Sequence, residues 1–250
     1  MSITLWVPAV ERPSWSANCS WWNLKTPYNK RLNFYRSGAN NPKFTWNKAV
    51  MDFLETKDEW LLSVHSDVMV APKTLMRLLS WDKPLVSALI FMRVGPVLPH
   101  VWRKYDGDIT GRMVMRINDT RDWLYAHPDY LANTGPFVME PKPDNALVPV
   151  DFTSTSCTLI HRSVLEAMRP ICNDVWFQCD DDLRGGGEDR RFFEIAMQAG
   201  FDGYVDRSCV VGHLADNLPT SVMDFIAWDY SCTYDGTGEP VAAEKVEQTA

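Results

Sequence analysis

The sequence of 250 residues contains no apolar run long enough to cross a membrane. Its longest apolar segment, residues 84–101, is broken by Arg93 and three prolines, whereas a membrane-spanning helix needs about 20 consecutive apolar residues. Residues 1–9 lack the basic, apolar and small-residue regions of a signal peptide. We therefore expect a soluble, cytoplasmic protein.

The sequence also lacks CxxC pairs, internal repeats and low-complexity linkers. A chain of this length buries enough surface to fold without disulfides, and nothing in it points to export. We therefore expect reduced, mostly buried thiols. With 46% hydrophobic and 23% charged residues, the composition is that of a globular protein and excludes a disordered, collagen-like or coiled-coil chain.

The formal net charge of −7 argues against a broad surface for nucleic acid or anionic membranes, although it leaves room for a local basic groove. Tryptophan is abundant, with 11 residues, and Trp15, Trp21 and Trp22 cluster in an early polar segment. Indole rings of this kind are either core residues or stacking platforms for sugars and bases.

Apolar periodicity predicts alternating strands and helices in the first half of the chain. The predicted elements are a strand at residues 3–7, a helix at 44–54, a buried strand at 60–64, a helix after Pro72 and a strand at 84–92. This alternation predicts an α/β fold with a central, mostly parallel sheet flanked by helices.

The second half begins with residues 93–148, which are rich in Pro, Gly, Asp and aromatic residues and show no clear order of elements. A strand is then predicted at residues 148–160, followed by a helix at 164–168 that Ser163 caps and Pro170 ends. A helix at 188–199 closes at Gly200, and two short strands follow at 201–206 and 208–211.

Polar residues stand where predicted strands end. His65, Ser66 and Asp67 follow the buried strand, and His213 follows the last one. In parallel α/β sheets ligands bind at the carboxyl ends of strands, and carboxylate with imidazole suits Mg²⁺ or Mn²⁺. Taken singly, Asp67 also fits a turn after a strand, and His213 an ordinary core histidine.

Glu188 and Asp189 open a predicted helix directly after three glycines. Acidic residues are favoured in the first helical turn by the free N–H groups, and this alone would explain them. The glycines favour a functional interpretation, in which a carboxylate held at a fixed helix end takes a proton from a hydroxyl. Trp176 and Phe177, before this loop, are either packing anchors or an aromatic shelf for a substrate.

Five stretches together resemble a known enzyme family. They are residues 60–72, in which a strand leads to a DxD-type motif, residues 83–93, 150–162 and 187–200, and the Val211-Gly212-His213 triplet. In order and spacing, from about residue 3 to residue 214, the chain resembles the GT-A glycosyltransferases, particularly the family-2-like enzymes.

The resemblance implies a nucleotide-sandwich, Rossmann-like fold. It implies one GT-A catalytic domain over residues 1–235, with a donor-binding half at about 1–95 and an acceptor-binding half at about 96–235, before a flexible polar tail at 236–250. It further implies a nucleotide-sugar donor, of which UDP-sugars are the commonest, and a divalent metal cofactor, Mn²⁺ or Mg²⁺.

The resemblance also assigns roles to residues. Asp67 and His213 look like metal ligands, and Asp189 looks like the catalytic base of inverting members, with Glu188 beside it orienting the acceptor. The donor-binding positions are Pro8, Ala9, Glu11, Asn47, His65, Ser66, Asp67 and Arg93. The acceptor-binding positions are Ser156, Trp176, Phe177 and Glu188.

Three residues depart from the family pattern. His65 stands where the first Asp of the DxD motif is common, Trp46 replaces a frequent Arg before Asn47, and Ser156 occupies a usual glycine position. None of them removes Asp67, Asp189 or His213, so a metal-dependent glycosyltransferase is expected.

Two alternatives stay open. One is a degenerate GT-A scaffold that binds a nucleotide sugar or glycan without turnover, and the other is a metal-dependent nucleotidyltransferase or hydrolase. The sequence does not indicate whether the acceptor is a glycan, a protein, a small molecule or a modified nucleic-acid base.

Overall fold

The computed structural model describes residues 2–8, 14–27, 32–37, 42–92, 97–104, 113–115, 117–128, 133, 135–178, 187–215, 218–231, 233–234 and 240–241. The strands, in chain order, are β1 Ile3–Pro8, β2 Leu32–Ser37, β3 Trp60–Val64, β4 Val68–Met69, β5 Leu85–Leu89, β6 Trp102–Lys104, β7 Met113–Met115, β8 Phe137–Val138, β9 Leu147–Val150, β10 Cys157–His161, β11 Gly203–Val210, β12 Gly212–Ala215, β13 Leu218–Thr220, β14 Thr233–Tyr234 and β15 Pro240–Val241. The helices are α1 Trp15–Trp22, α2 Pro42–Glu55, α3 Thr74–Leu79, α4 Ile117–Tyr125, α5 Arg162–Cys172, α6 Glu188–Gln198 and α7 Val222–Ser231.

The central sheet has the strand order β2-β1-β3-β10-β5-β11-β8, with β9 also paired to β11. Strands β1, β2, β3, β5 and β11 run in the same direction, so most of its eight strands are parallel in orientation. Strand β10 lies antiparallel between β3 and β5. The predicted α/β fold with a mostly parallel sheet is confirmed.

Side chains alternate between the two faces of this sheet, as the pleat requires. On β3, Leu61 faces a core shared with helices α2, α5, α6 and α7, whereas Leu62 faces a second core shared with α1 and α3. Both leucines are fully buried. Helices therefore cover both faces, and they leave the strand ends at one edge of the sheet to carry polar groups.

The segment predicted as one strand at residues 148–160 is two strands with a loop between them. Strand β9 pairs with β11, whereas β10 crosses to the middle of the sheet and pairs with β3 and β5. The intervening residues include the hydroxyl-rich run Thr153–Ser156. Its side chains form hydrogen bonds with one another, with the His100 carbonyl and with Asp189 of α6. Apolar character alone did not reveal this break, because these residues are buried like those of a strand.

Three other predictions of element boundaries are wrong. Pro170 does not end its helix, because it lies in the last turn of α5 and the left-handed Asn173 (φ 49°) ends that helix instead. His161, rather than Ser163, is the N-cap residue of α5. The two short strands predicted at 201–206 and 208–211 are the single strand β11, which pairs with β5 with a register shift after Asp206.

The described cysteines are free thiols. Cys157, Cys172 and Cys209 are buried, and burial raises the pKa of Cys157 to about 12, so these thiols stay protonated. Cys179 and Cys232 lie outside the described residues. None of the helices in the described part of the chain is long and apolar enough to cross a bilayer. The cytoplasmic location stays a prediction.

The early tryptophan cluster divides between core and surface. Trp21 is buried and its indole N–H donates a hydrogen bond of 2.9 Å to the Val68 carbonyl, which ties α1 to β4. Trp15 and Trp22 are exposed, at 81% and 67%. The packing role is therefore confirmed for Trp21 only.

Arg162 caps the carboxyl end of α2. Its guanidinium donates to the carbonyls of Phe53, Leu54 and Thr56, and to that of Asp58 at 2.7 Å. Because these bonds come from a charged donor, Arg162→Met is expected to lower the free energy of unfolding by about 2–3 kcal/mol, measured by urea denaturation.

Arg169→Met is the matched control on the same helix. Arg169 forms an exposed ion pair with Asp174, so its loss is expected to cost less than about 1 kcal/mol. Equal urea midpoints for the two variants would contradict the capping role of Arg162.

Candidate functional site

The candidate site lies at the carboxyl end of β3, where β12 lies beside the residues that follow that strand. Strand β3 leads into His65, Ser66 and Asp67, and β4 follows at once. Strand β12 pairs antiparallel with β4, which places His213 opposite Val68 and next to Asp67. A backbone hydrogen bond of 2.8 Å from Leu214 to the Asp67 carbonyl fixes this register. Residues 67 and 213 therefore meet at the carboxyl end of the sheet.

The Asp67 and His213 side chains face each other. His213 Nε2 lies 3.5 Å from Asp67 Oδ2, and both side chains are mostly buried. On the other side of the ring, Nδ1 lies 3.0 Å from the Phe91 carbonyl, which can only accept, so Nδ1 carries the proton. In the neutral ring, the unshared electron pair of Nε2 then points toward Asp67.

This pair fits a divalent metal in its donor chemistry. A histidine whose second nitrogen is anchored on a backbone carbonyl is a common arrangement at metal sites, and the carboxylate supplies a hard oxygen. Among the described residues, no group of three or more His, Cys, Asp or Glu side chains could hold a metal ion. Two protein ligands would leave the other positions to water and to oxygens of a bound ligand.

Asp189 lies in the first turn of α6, after Gly187 at the N-cap. Both of its carboxylate oxygens accept hydroxyl hydrogen bonds from the loop between β9 and β10. Ser154 Oγ donates to Oδ2 at 3.1 Å, and Thr155 Oγ1 donates to Oδ1. The carboxylate is thus held in one orientation by two side chains more than 30 residues away in the sequence.

His65 lies between these two parts of the site. Its ring stacks on Trp46 with centroids 5.4 Å apart, and its Nδ1 lies 3.1 Å from Ser156 Oγ. Its buried Nε2 has no hydrogen-bond partner. Burial lowers the pKa of His65, and the carboxylates of Asp189, Asp67 and Glu188 oppose that shift. The predicted base, its acidic neighbour and the predicted metal ligand therefore all act on one imidazole.

Three predicted site residues have other roles in the structure. Trp176 and Phe177 were candidates for an acceptor shelf, but both are fully buried. Trp176 donates to the Leu165 carbonyl, and Phe177 stacks on Phe192. Asn47 was predicted to contact the nucleotide-sugar donor, but both polar atoms of its side-chain amide bond to the Phe177 backbone, in two hydrogen bonds of 2.9 Å. Trp176 and Phe177 therefore belong to the core beneath the site, and the partly buried Asn47 holds the Phe177 backbone in place.

The remaining predicted residues lie at the same edge or outside the described chain. Pro8 ends β1, where it pairs with Ser37, and Ser66 is half-buried beside Asp67. Ser156 is buried against His65. Ala9, Glu11 and Arg93 lie outside the described residues.

Sequence reasoning missed Ser154, Thr155 and His100. The hydroxyl run that contains Ser154 and Thr155 was a visible signal, whereas His100 lies in the segment whose order could not be read. His100 N donates to the Ile90 carbonyl at 2.9 Å, Thr153 donates to the His100 carbonyl, and His100 Nδ1 is buried without a partner. Because Thr153 precedes the Ser154 hydroxyl that holds Asp189, its bond places His100 beside the same loop.

His100 leads to a prediction about stability and pH. Burial lowers its pKa below the ordinary 6.5, and the charge of Asp189 offsets this only in part. At pH values between the native pKa of His100 and 6.5, the unfolded chain binds a proton that the native chain does not. The contribution of His100 to the free energy of unfolding is therefore fully present above about pH 6.5 and is lost as the pH drops. Urea unfolding between about pH 7.5 and 5.5 is expected to show a steeper loss for the wild type than for His100→Gln, by up to about 1.4 kcal/mol per pH unit. Equal loss of stability with falling pH in the wild type and His100→Gln would contradict this role of His100.

Comparison with solved structures identifies the fold. The chain is similar to GalNAc-T7, crystallised with UDP, GalNAc and Mn²⁺, with a TM-score of 0.53 and 11% identity over 86% of this chain and 44% of that chain. It also matches A197 from STIV, with a TM-score of 0.48 and 15% identity over 87% of each chain. A third match is S. aureus TarS 1–349, with a TM-score of 0.43 and 17% identity over 91% of this chain and 63% of that chain.

The chain thus spans less than half of the GalNAc-T7 chain and less than two thirds of the TarS chain. No protein-family model and no curated protein matches the sequence. The similarity to GalNAc-T7 shows that the chain has the predicted GT-A fold.

Proposed function

We propose that this GT-A-fold chain is a glycosyltransferase that moves a sugar from a nucleotide-diphosphate donor, a UDP-sugar in the first instance, to an acceptor hydroxyl. One observation carries the proposal. The Asp67–His213 pair and the oriented Asp189 carboxylate lie around the same imidazole at the carboxyl edge of the sheet. The co-crystallisation of GalNAc-T7 with UDP, GalNAc and Mn²⁺ supports the choice of donor and metal.

The proposed reaction is a single displacement with inversion. The acceptor oxygen attacks the anomeric carbon and passes its proton to the Asp189 carboxylate. The bond between the anomeric carbon and the diphosphate oxygen breaks, and the nucleoside diphosphate leaves with that electron pair. Two hydroxyl donors fix the Asp189 carboxylate, so it meets the acceptor in one orientation. Glu188, on the same helical turn, is proposed to orient the acceptor.

Asp67 and His213 are the residues that would hold a divalent metal, Mn²⁺ or Mg²⁺. When bound, such an ion offsets the negative charge that develops on the leaving diphosphate. The Phe91 carbonyl keeps the His213 ring in the orientation that aims Nε2 at Asp67. Pro8 at the end of β1, and Ser66 beside Asp67, are the described residues proposed to border the donor, with Ala9, Glu11 and Arg93 as further proposed contacts.

Thermal shift with UDP-, GDP-, CMP- and TDP-sugars, each with and without Mn²⁺, tests the proposal. A ligand that binds only the folded chain stabilises it by about 2.7 kcal/mol at 100 times its Kd, which raises the Tm by several degrees for a chain of this size. We expect such a rise with one donor and only when Mn²⁺ is present.

Asp67→Asn is expected to abolish the dependence on metal. Asp52→Asn is the matched control, because Asp52 is a partly exposed aspartate on α2 that forms an ion pair with Lys48, and it is expected to keep the dependence. No shift with any donor would contradict the proposal, whereas a donor shift with no sugar transfer to any acceptor would favour a degenerate scaffold that binds without turnover. Release of pyrophosphate instead of nucleoside diphosphate would identify a nucleotidyltransferase.

A further inference from the structure

Of the three residues that depart from the family pattern, two contact the third. Trp46 stacks on the His65 ring at an interplanar angle of 21°, and Ser156 Oγ lies 3.1 Å from His65 Nδ1. These residues come from α2, from the turn after β3 and from the loop before β10. They form one cluster in the structure, although the sequence presents them as separate changes.

From this cluster an unbroken line of hydrogen bonds reaches Asp189. Ser156 Oγ lies 2.6 Å from Ser154 Oγ, and Ser154 Oγ donates to Asp189 Oδ2 at 3.1 Å. Ser154 Oγ also accepts from the Ser156 backbone N–H at 3.2 Å. The chain His65–Ser156–Ser154–Asp189 therefore joins the turn after β3 to the first turn of α6.

The direction of every bond in this chain follows from the carboxylate. An ionised Asp189 can only accept, and each serine hydroxyl has a single proton to donate. The Ser154 proton goes to Asp189, so Ser156 must donate to Ser154. The Ser156 proton is then used as well, and the remaining bond requires a proton on His65 Nδ1.

We propose that His65 is a positioning residue for Asp189 that acts through Ser156 and Ser154, with the proton of its neutral ring on Nδ1. The inference rests on the proposed function only in taking Asp189 as the base. The Nε2 of this tautomer offers an unshared pair and no proton. A ligand atom that meets the buried Nε2 must therefore be a hydrogen-bond donor, such as a hydroxyl or N–H group, rather than a phosphate oxygen.

The proton position can be measured directly by NMR without any substrate. Long-range ¹H–¹⁵N correlation of the imidazoles in the ¹⁵N-labelled full chain, at about pH 8 where ordinary histidines are neutral, distinguishes the two tautomers. His65→Asn assigns the His65 signals by their disappearance. We expect Nδ1 to be protonated and Nε2 to be unprotonated. A proton on Nε2 would overturn the proposal.

Ser154→Ala tests whether the whole line of hydrogen bonds from Asp189 to His65 sets the tautomer of His65. Ser154 suits this test because it has no contact with His65 among the bonds described. Without Ser154, Ser156 loses its acceptor and turns its proton to His65 Nδ1, so the proton of the ring is expected to move to Nε2. Ser63→Ala is the matched control. Ser63 on β3 is a buried hydroxyl without a hydrogen-bond partner, and it takes no part in the hydrogen bonds that join His65 to Asp189. It is expected to leave the tautomer unchanged.

An unchanged tautomer in Ser154→Ala would show that contacts at His65 alone decide it, and would overturn the proposal. The outcome is separable from that of the proposed function. If the tautomer behaves as expected but no donor binds, the hydrogen-bond chain stands and the glycosyltransferase assignment fails. If a donor binds with Mn²⁺ but the proton of His65 is on Nε2, the glycosyltransferase proposal stands and the proposed hydrogen-bond chain is wrong.

Discussion

Asp189→Asn is expected to lower the rate of sugar transfer by about 10²–10⁴-fold, the range that a positioned general base contributes. The amide cannot take the proton of the acceptor hydroxyl, whereas its size and shape match those of the carboxylate. Donor binding is expected to change little, because the donor is proposed to lie against Asp67, His213 and the end of β1. Steady-state transfer, together with donor thermal shift, would measure the two effects separately.

Glu194→Gln is the matched control for this variant. Glu194 is a partly buried carboxylate on the same helix, where it pairs with Arg190 and Arg191 rather than with the site. Its neutralisation is expected to leave transfer within a few-fold of the wild type. Full activity of Asp189→Asn would show that another group takes the proton, and the mechanism proposed here would be wrong.

Arg77→Met is expected to lower the free energy of unfolding by about 3–5 kcal/mol, because it leaves a buried carboxylate without its cation. The partner is Asp206, which is fully buried on β11, with Oδ2 3.8 Å from the guanidinium of Arg77. Arg77 also donates to Ser208 Oγ and to the Met139 carbonyl. Asp206 in turn accepts from Trp81 Nε1 at 2.7 Å and from Ser208. The substitution breaks a network, so its cost exceeds that of one hydrogen bond.

Urea unfolding of a double-mutant cycle would show whether the unpaired charge causes the loss. Arg77→Met combined with Asp206→Asn removes both charges and is expected to cost less than the sum of the two single variants. Lys73→Met is the exposed control, since its pair with Glu140 lies at 3.6 Å with both side chains about half exposed. A cost below about 1 kcal/mol for Arg77→Met would contradict the role of the buried pair.

The local elements were predictable where apolar periodicity is strong and unbroken. The buried strand Trp60–Val64 and the helix Glu188–Gln198 lie within one residue of their predicted bounds. Each has a continuous apolar stripe, and a glycine or polar turn follows it. The position of Asp67 at a strand end and of Asp189 at a helix start follows from those bounds, which is why these two site residues were visible in the sequence.

Other features depended on which strands become neighbours. Burial does not distinguish the loop at residues 151–156 from strand β10, because all of these loop residues except Asp151 are buried, as most of β10 is. That loop supplies the hydroxyls that hold Asp189 because β10 crosses between β3 and β5. The same arrangement brings Ser156 to His65, 91 residues away.

By itself the sequence therefore determined the α/β class, the strand ends that carry polar groups, and the residue types available for chemistry, since these depend on periodicity and composition along short segments. Tertiary structure alone decided that Trp176, Phe177 and Asn47 serve the core, that His100 lies beside the loop that holds Asp189, and that Trp46, His65 and Ser156 form one cluster. The physical reason is that burial and hydrogen bonding between residues far apart in the sequence depend on which strands become neighbours, and no local pattern encodes that.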